Sequence, residues 1–248
     1  MRTPIGRRSI PIVALLALVA CGEPQPPAPQ DSREIVFEST DGVRLAGRLF
    51  GPEDAKAGVV LAHMYPADQR SWFPFAERLA ERGYRVLTFD FRGYCPGGDG
   101  GCSEGDKDIP SIWRDVDGAT ALLMNGGVQR VALIGASMGG TASLIAASED
   151  GEGIDAIVTL SAPISFEGLE AGPDVVQQVM GAKLFLAGHA DAVAAESAQQ
   201  LYDESILPKR VEILTTEDHG TDILTGNQAG IASTEILNWL ERYLPIGP

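Results

Sequence analysis

The chain has 248 residues, enough for one large domain with a full core, and its 44% apolar and 21% charged content is that of a globular protein. Beyond the first twenty residues it carries 16 basic against 34 acidic side chains, a net of −18. That balance excludes a nucleic acid as partner and disfavours tight binding to anionic lipid headgroups.

Arg2, Arg7 and Arg8 precede a mostly apolar run from Ile10 to Ala20. The run is too short to span a bilayer of about 30 Å, which needs ~20 residues, and reads as a secretion signal. Leu18-Val19-Ala20-Cys21 resembles the lipobox of bacterial lipoproteins, in which the cysteine is lipidated and becomes the mature N-terminus. Ordinary signal cleavage that leaves Cys21 free is the other reading. From Gly22 to Ser32 the chain is Gly-Glu-Pro-Gln-Pro-Pro-Ala-Pro-Gln-Asp-Ser, with no side chain able to build a core. It reads as an extended tether that, at ~3 Å per residue, reaches about 30 Å from a membrane. The division is a signal over 1–20, a lipidated cysteine and Pro-rich tether over 21–33, and a domain over 34–248. The expected setting is extracytoplasmic, on a bacterial membrane. With Cys21 lipidated, Cys95 and Cys102 form an even pair around a glycine-rich segment. In an oxidising compartment they are expected to join, and closing a ring of about eight residues contributes roughly 2–3 kcal/mol before strain. Two free thiols are the alternative. A metal is disfavoured because no third or fourth ligand is spaced nearby.

Glu34–Ser39 and Val43–Phe50 read as strands around a Thr40-Asp41-Gly42 turn, the antiparallel start of a sheet. Gly58–His63 is a buried-type strand. Ser71–Arg82 is a predicted helix with Trp72, Phe75, Ala76 and Leu79 on one face and Pro74 in its first turn. Tyr84–Asp90 is a strand; Asp108–Met124 is mainly helical and is stopped by Asn125-Gly126-Gly127. Strands follow at Ile154–Leu160 and Lys183–Ala187, a helix at Ala194–Glu204, a last strand at Val211–Leu214 and a closing helix over Thr234–Leu244. Strands and helices alternate from Gly58 onward. The pattern predicts an α/β fold with a mostly parallel sheet, helices on both faces and ligands beyond the carboxyl ends of the strands.

The stretch that stands out is Arg130–Thr141. Val131 to Ile134 are apolar, Met138 onward reads as a helix of small residues, and Ser137 stands between Gly135 and Gly139. Strand, sharp turn and helix around G-x-S-x-G is the context that holds a hydroxyl out of a sheet. A serine that only caps the helix is the plainer reading. As nucleophile Ser137 needs a base, and the base an orienting acid. The chain has three histidines. His219 follows the last strand, and Asp191 follows the strand that ends at Ala187. His63 precedes the serine and reads as a structural residue; His189 lies two positions from Asp191, where the two side chains do not face each other. Glu196 and Glu167 are the other candidate acids, and Asp218 and Asp222 read as solvated loop carboxylates.

The order Ser137, Asp191, His219 resembles that of the α/β-hydrolase superfamily, over about Glu34 to Leu244. The resemblance implies an α/β-hydrolase fold, Ser137 as nucleophile, His219 as general base and then acid, and Asp191 as orienter of the imidazole. It also implies an oxyanion hole with the Met138 amide as one donor and, from His63-Met64-Tyr65-Pro66, either Met64 or Tyr65 as the other. Asp90-Phe91-Arg92-Gly93 resembles a structural turn of the family. The roughly twenty residues between Ser161 and Lys183 are too few for a large cap, so an open site is expected, with Phe166, Leu169 and Val175 as possible cover. The function expected is a serine esterase acting on a small-molecule or acyl-bearing substrate, with thioesters or amides as variants. No metal or organic cofactor is implied. A binding lipoprotein on the same fold and an acyltransferase using the same residues remain as alternatives.

Overall fold

The computed structural model describes residues 31–95 and 101–247. The signal, Cys21 and nearly all of the tether lie outside the described residues. In chain order the elements are β1 (Ser32–Glu38), β2 (Arg44–Phe50), β3 (Ala57–Ala62), α1 (Phe73–Glu81), β4 (Arg85–Phe89), α2 (Trp113–Asn125), β5 (Arg130–Ala136) and α3 (Met138–Glu149). They continue with β6 (Ile154–Leu160), β7 (Ser165–Phe166), β8 (Leu169–Glu170), α4 (Pro173–Val176), β9 (Ala182–Gly188), α5 (Ala192–Glu204), β10 (Lys209–Leu214) and α6 (Ala229–Tyr243).

Eight strands form one sheet in the order β1-β2-β4-β3-β5-β6-β9-β10. β1 and β2 are antiparallel, β2 is antiparallel to β4, and every pairing from β4 to β10 is parallel. Continuous apolar runs such as Val59-Val60-Leu61 suit a parallel sheet covered on both faces. Alternate residues of each strand serve opposite layers. Val60, Leu87 and Leu133 join α2, α3 and α5 through Val116, Ala142 and Leu201. Val59, Leu61 and Ile134 join α1 and α6 through Phe75, Leu79, Ile236 and Leu240.

The topology gives the sheet two distinct edges. Ser32 pairs with Phe50, which pairs with Val86 near the start of β4. The chain therefore enters the domain where the parallel strands begin. Ser137, Asp191 and His219 follow the ends of β5, β9 and β10, at the opposite edge.

One expectation is corrected. The closing helix begins at Ala229, not Thr234. Ser233 and Thr234 look like a capping point, yet both are satisfied inside the helix: Thr234 Oγ1 donates back to Gly230 O at 2.7 Å, and Ser233 accepts from Arg78 Nη1 at 2.9 Å. The connection between β6 and β9, to which the sequence assigns no elements, is short of a large cap, as expected. It holds the antiparallel β7–β8 hairpin, turning through Glu167 and Gly168 at φ 44° and 94°, and the short α4. Leu169 is buried in the core, Phe166 and Val175 are partly buried, and no large cap is formed among the described residues.

Asp90-Phe91-Arg92-Gly93 is structural, as its pattern suggests. Asp90 accepts the Gln69 amide at 2.9 Å and Gln69 Nε2 at 2.6 Å, and burial raises its pKa to about 6. Arg92 forks between Asp115 and Asp41, so it ties α2 to the β1–β2 turn. Beyond it, Gly93 N donates to Glu104 O at 2.9 Å and Ser103 N to Tyr94 O at 3.1 Å. These bonds bring the two arms of the loop side by side. The Cys95–Cys102 disulfide joins them with a Cα separation of 4.3 Å.

Candidate active site

Ser137 occupies the turn between β5 and α3 at φ 46° and ψ −120°, a region non-glycine residues rarely adopt. Its neighbours make that turn possible. A Cβ at Gly139 would strike the Ala62 carbonyl oxygen and lie 2.6 Å from His63 O; one at Gly135 would lie 2.5 Å from Gly140 N. Both glycines are thus required by backbone approaching backbone. The Ser137 amide donates to Leu160 O at 2.8 Å, but its side chain makes no capping bond to α3. The hydroxyl is therefore not consumed in holding the helix.

Asp191 follows β9, its amide bonded to Gly188 O and the preceding Ala190 amide to Thr216 O. These bonds set it beside the loop after β10. His219 Nδ1 and Asp191 Oδ2 are 2.5 Å apart, with 43% of the imidazole and 18% of the carboxylate side chain exposed. An acceptor-only carboxylate places the ring proton on Nδ1 and leaves Nε2 as the basic nitrogen. Gly220, next in the chain, lies against the serine turn: a Cβ there would be 2.5 Å from Met64 Sδ and 3.4 Å from Ala136 Cβ. The backbones carrying His219 and Ser137 thus adjoin. Glu196 and Glu167 are exposed, and His189 is exposed at the end of β9. Asp218 accepts from Thr216 Oγ1 at 2.6 Å, a bond within its own loop. Among the described residues no group of three or more His, Cys, Asp or Glu is arranged to hold a metal ion.

His63 is fully buried between the rings of Phe91 and Tyr94, at 4.8 and 4.7 Å between centroids. Nε2 accepts the Phe91 amide at 3.1 Å, so the ring proton is on Nδ1 and donates to Met64 O at 2.9 Å. That bond fixes the plane of the trans Met64–Tyr65 peptide. Because its carbonyl points inward to His63, the Tyr65 N–H points the opposite way. Among the described residues neither the Tyr65 amide nor the Met138 amide has a hydrogen-bond acceptor. Met64 is engaged differently, its sulfur 3.8 Å from Thr221 Oγ1 beneath the His219 loop.

Burial pushes the His63 pKa down to about 4 from 6.5. The folded state keeps the ring neutral while the unfolded chain takes up a proton below pH 6.5. Stability is therefore lost as the pH falls from about 6.5 to about 4, by about 3 kcal/mol at ~1.4 kcal/mol per pH unit. The stability advantage of the wild type over His63→Gln should shrink by that amount between pH 7 and pH 4 in urea unfolding. An advantage that stays constant would contradict a buried neutral His63.

The sequence pattern of the alpha/beta hydrolase fold family matches residues 59–210, from β3 into β10. The chain belongs to the α/β-hydrolase family. By sequence it is 25% identical over 240 residues to the uncharacterized protein YfhR of Escherichia coli O157:H7, covering 86% of this chain and 82% of that protein. Its fold is similar to that of an esterase of Pyrococcus furiosus, with a TM-score of 0.74 at 18% identity over 87% of this chain and 91% of the other. An esterase of Exiguobacterium antarcticum superposes with a TM-score of 0.66 at 16% identity, covering 83% and 98%. At such identities the two structures speak for the fold alone.

Within this α/β-hydrolase fold, further side chains gather beside the serine turn. Tyr94 is buried with its hydroxyl 3.9 Å from Met138 Sδ, Lys107 Nζ stands 4.2 Å from the centre of the Tyr94 ring, and Phe166 brings the β7–β8 hairpin to 6.0 Å from the Tyr65 ring. Of these, Phe166 is expected from the sequence as cover of the site, whereas Tyr94 and Lys107 are not.

Proposed function

We propose that this α/β-hydrolase cleaves carboxylic esters, with thioesters and amides as chemical relatives, through an acyl-enzyme on Ser137. The observation that carries the reading is the Asp191–His219 hydrogen bond beside a serine held at positive φ and not used as a cap. His219 Nε2 takes the Ser137 proton as Oγ bonds to the substrate carbonyl carbon. Asp191 keeps the ring in the required tautomer and stabilises the imidazolium. The oxygen of the tetrahedral intermediate takes the negative charge, with the Met138 and Tyr65 amides as donors and His63 as the residue that aims the second. A donor of this kind is worth about 10²–10³ in rate. When the carbon–oxygen bond to the leaving alcohol breaks, that alcohol departs with the proton from Nε2. Water repeats the cycle: it gives a proton to Nε2, attacks the acyl carbon and releases Ser137. Pre-steady-state hydrolysis of 4-nitrophenyl esters should show a burst stoichiometric with protein that is absent in Ser137→Ala. A folded wild type without turnover would favour the binding-lipoprotein reading.

The chain is also proposed to be lipidated at Cys21 and held extracytoplasmically by the 21–33 tether. Support comes from the signal pattern, from the disulfide and from the entry of the chain at the strand-start edge. A tether leaving from that edge lets the site face away from the lipid. Cys21→Ser should abolish labelling by a palmitate analogue and shift the protein from the membrane to the soluble fraction. Unchanged membrane association in that variant would contradict the anchor.

A further inference from the structure

The rim beside the serine turn is an aromatic platform with one cation on it. Lys107 Nζ lies 4.2 Å from the Tyr94 ring centre and 5.9 Å from that of Tyr65, the residue of the proposed oxyanion loop. Tyr94 in turn reaches Met138 through its hydroxyl, and Phe166 extends the platform next to Tyr65. Lys107 thus stands over the Tyr65 ring and one ring away from the Met138 side chain. Its backbone is held there: a Cβ at Gly93 would lie 2.5 Å from Asp106 C, and the arms of this loop are joined by the disulfide.

Among the described residues no carboxylate lies within ion-pairing distance of this ammonium. Asp106 and Asp108, its chain neighbours, are exposed, as is Glu167 at the tip of the β7–β8 hairpin, whose charge acts on Tyr94. Such carboxylates leave the cation solvated and available to a ligand. They act about twice as strongly against a dianion such as phosphate as against a single carboxylate, as does the net −18 beyond the first twenty residues. A cation–π contact orients an exposed ammonium for about 0.5–1 kcal/mol without neutralising it.

From this geometry we infer that Lys107 selects substrates that carry a free carboxylate: the substrate's apolar chain lies on Tyr65 and Phe166 and its carboxylate meets the ammonium. The inference rests on the hydrolase reading and adds a substrate class to it, monoesters of dicarboxylic acids. Lys107 takes no part in bond making.

The test compares two 4-nitrophenyl esters of one medium-chain dicarboxylic acid, one with its far carboxylate free and one with that group as the carboxamide. The wild type is expected to prefer the free acid by about five- to tenfold in kcat/KM, expressed mainly in KM and weakened by 0.5 M NaCl. The ratio should fall to about one in Lys107→Met, persist in Lys107→Arg and invert in Lys107→Glu. Equal kcat/KM for both esters in the wild type, or a preference that survives Lys107→Met, overturns the inference and leaves the hydrolase reading standing. Absence of Ser137-dependent turnover of both esters overturns the two together.

Discussion

Asp191→Asn is expected to lower kcat by about 10⁴-fold while KM for a neutral ester stays near the wild-type value. Asp191 meets His219 Nδ1 at 2.5 Å and has no proposed contact with substrate. An asparagine can turn its amide N–H toward Nδ1. The ring proton then sits on Nε2, where it blocks removal of the Ser137 proton. Even with the oxygen turned inward, the amide brings no charge to balance the imidazolium that forms in the transition state. The specific rival is Glu196, on α5 and exposed; the hydrogen bond to the ring comes from Asp191. Glu196→Gln should leave kcat within about twofold, since surface changes far from partners are usually small. A loss in Glu196→Gln as large as in Asp191→Asn would reassign the acid.

Gly139→Ala is expected to be strongly destabilising, as is Gly135→Ala in the same turn. At Gly139 the added methyl would lie 2.6 Å from His63 O and closer still to Ala62 O, both backbone atoms of β3 and the loop that follows it. No rotamer relieves such a clash, so α3 must lift from the sheet. Losses of this origin reach about 4 kcal/mol, the upper end for single substitutions. For a domain of this size that lowers Tm by on the order of 10 °C. Because the clash falls on His63, the peptide that carries the Tyr65 amide moves too, and turnover measured well below the melting point should fall as well. A thermal melt within about 2 °C of the wild type would contradict the close approach of α3 to β3.

Much of the sheet was legible because strands buried on both faces read as unbroken apolar runs, as at Val59 to Ala62 and Val131 to Ile134. Ser137 was legible because its flanking glycines serve a backbone need that sequence records directly. With three histidines in the chain, order along the sequence was enough to single out His219, and His219 does meet Asp191. Which of Met64 and Tyr65 offers the second proposed oxyanion amide was not legible. Choosing between Met64 and Tyr65 depends on which way one peptide plane turns, and that is decided by His63 and by the Phe91 amide on a different strand end. The β7–β8 hairpin escaped because two-residue strands have no periodicity. Lys107 escaped for a similar reason: its neighbours Tyr65 and Tyr94 are distant in sequence and meet it only in the fold.

The central claim is that Ser137 is an activated nucleophile. It is tested most directly by reacting the purified, folded protein with a fluorophosphonate probe and locating the adduct by mass spectrometry, with Ser137→Ala alongside. The account predicts one adduct per chain, on the peptide that contains Ser137, and none in the variant. A folded wild type that takes no label, or a Ser137→Ala protein labelled as fast as the wild type, would contradict it.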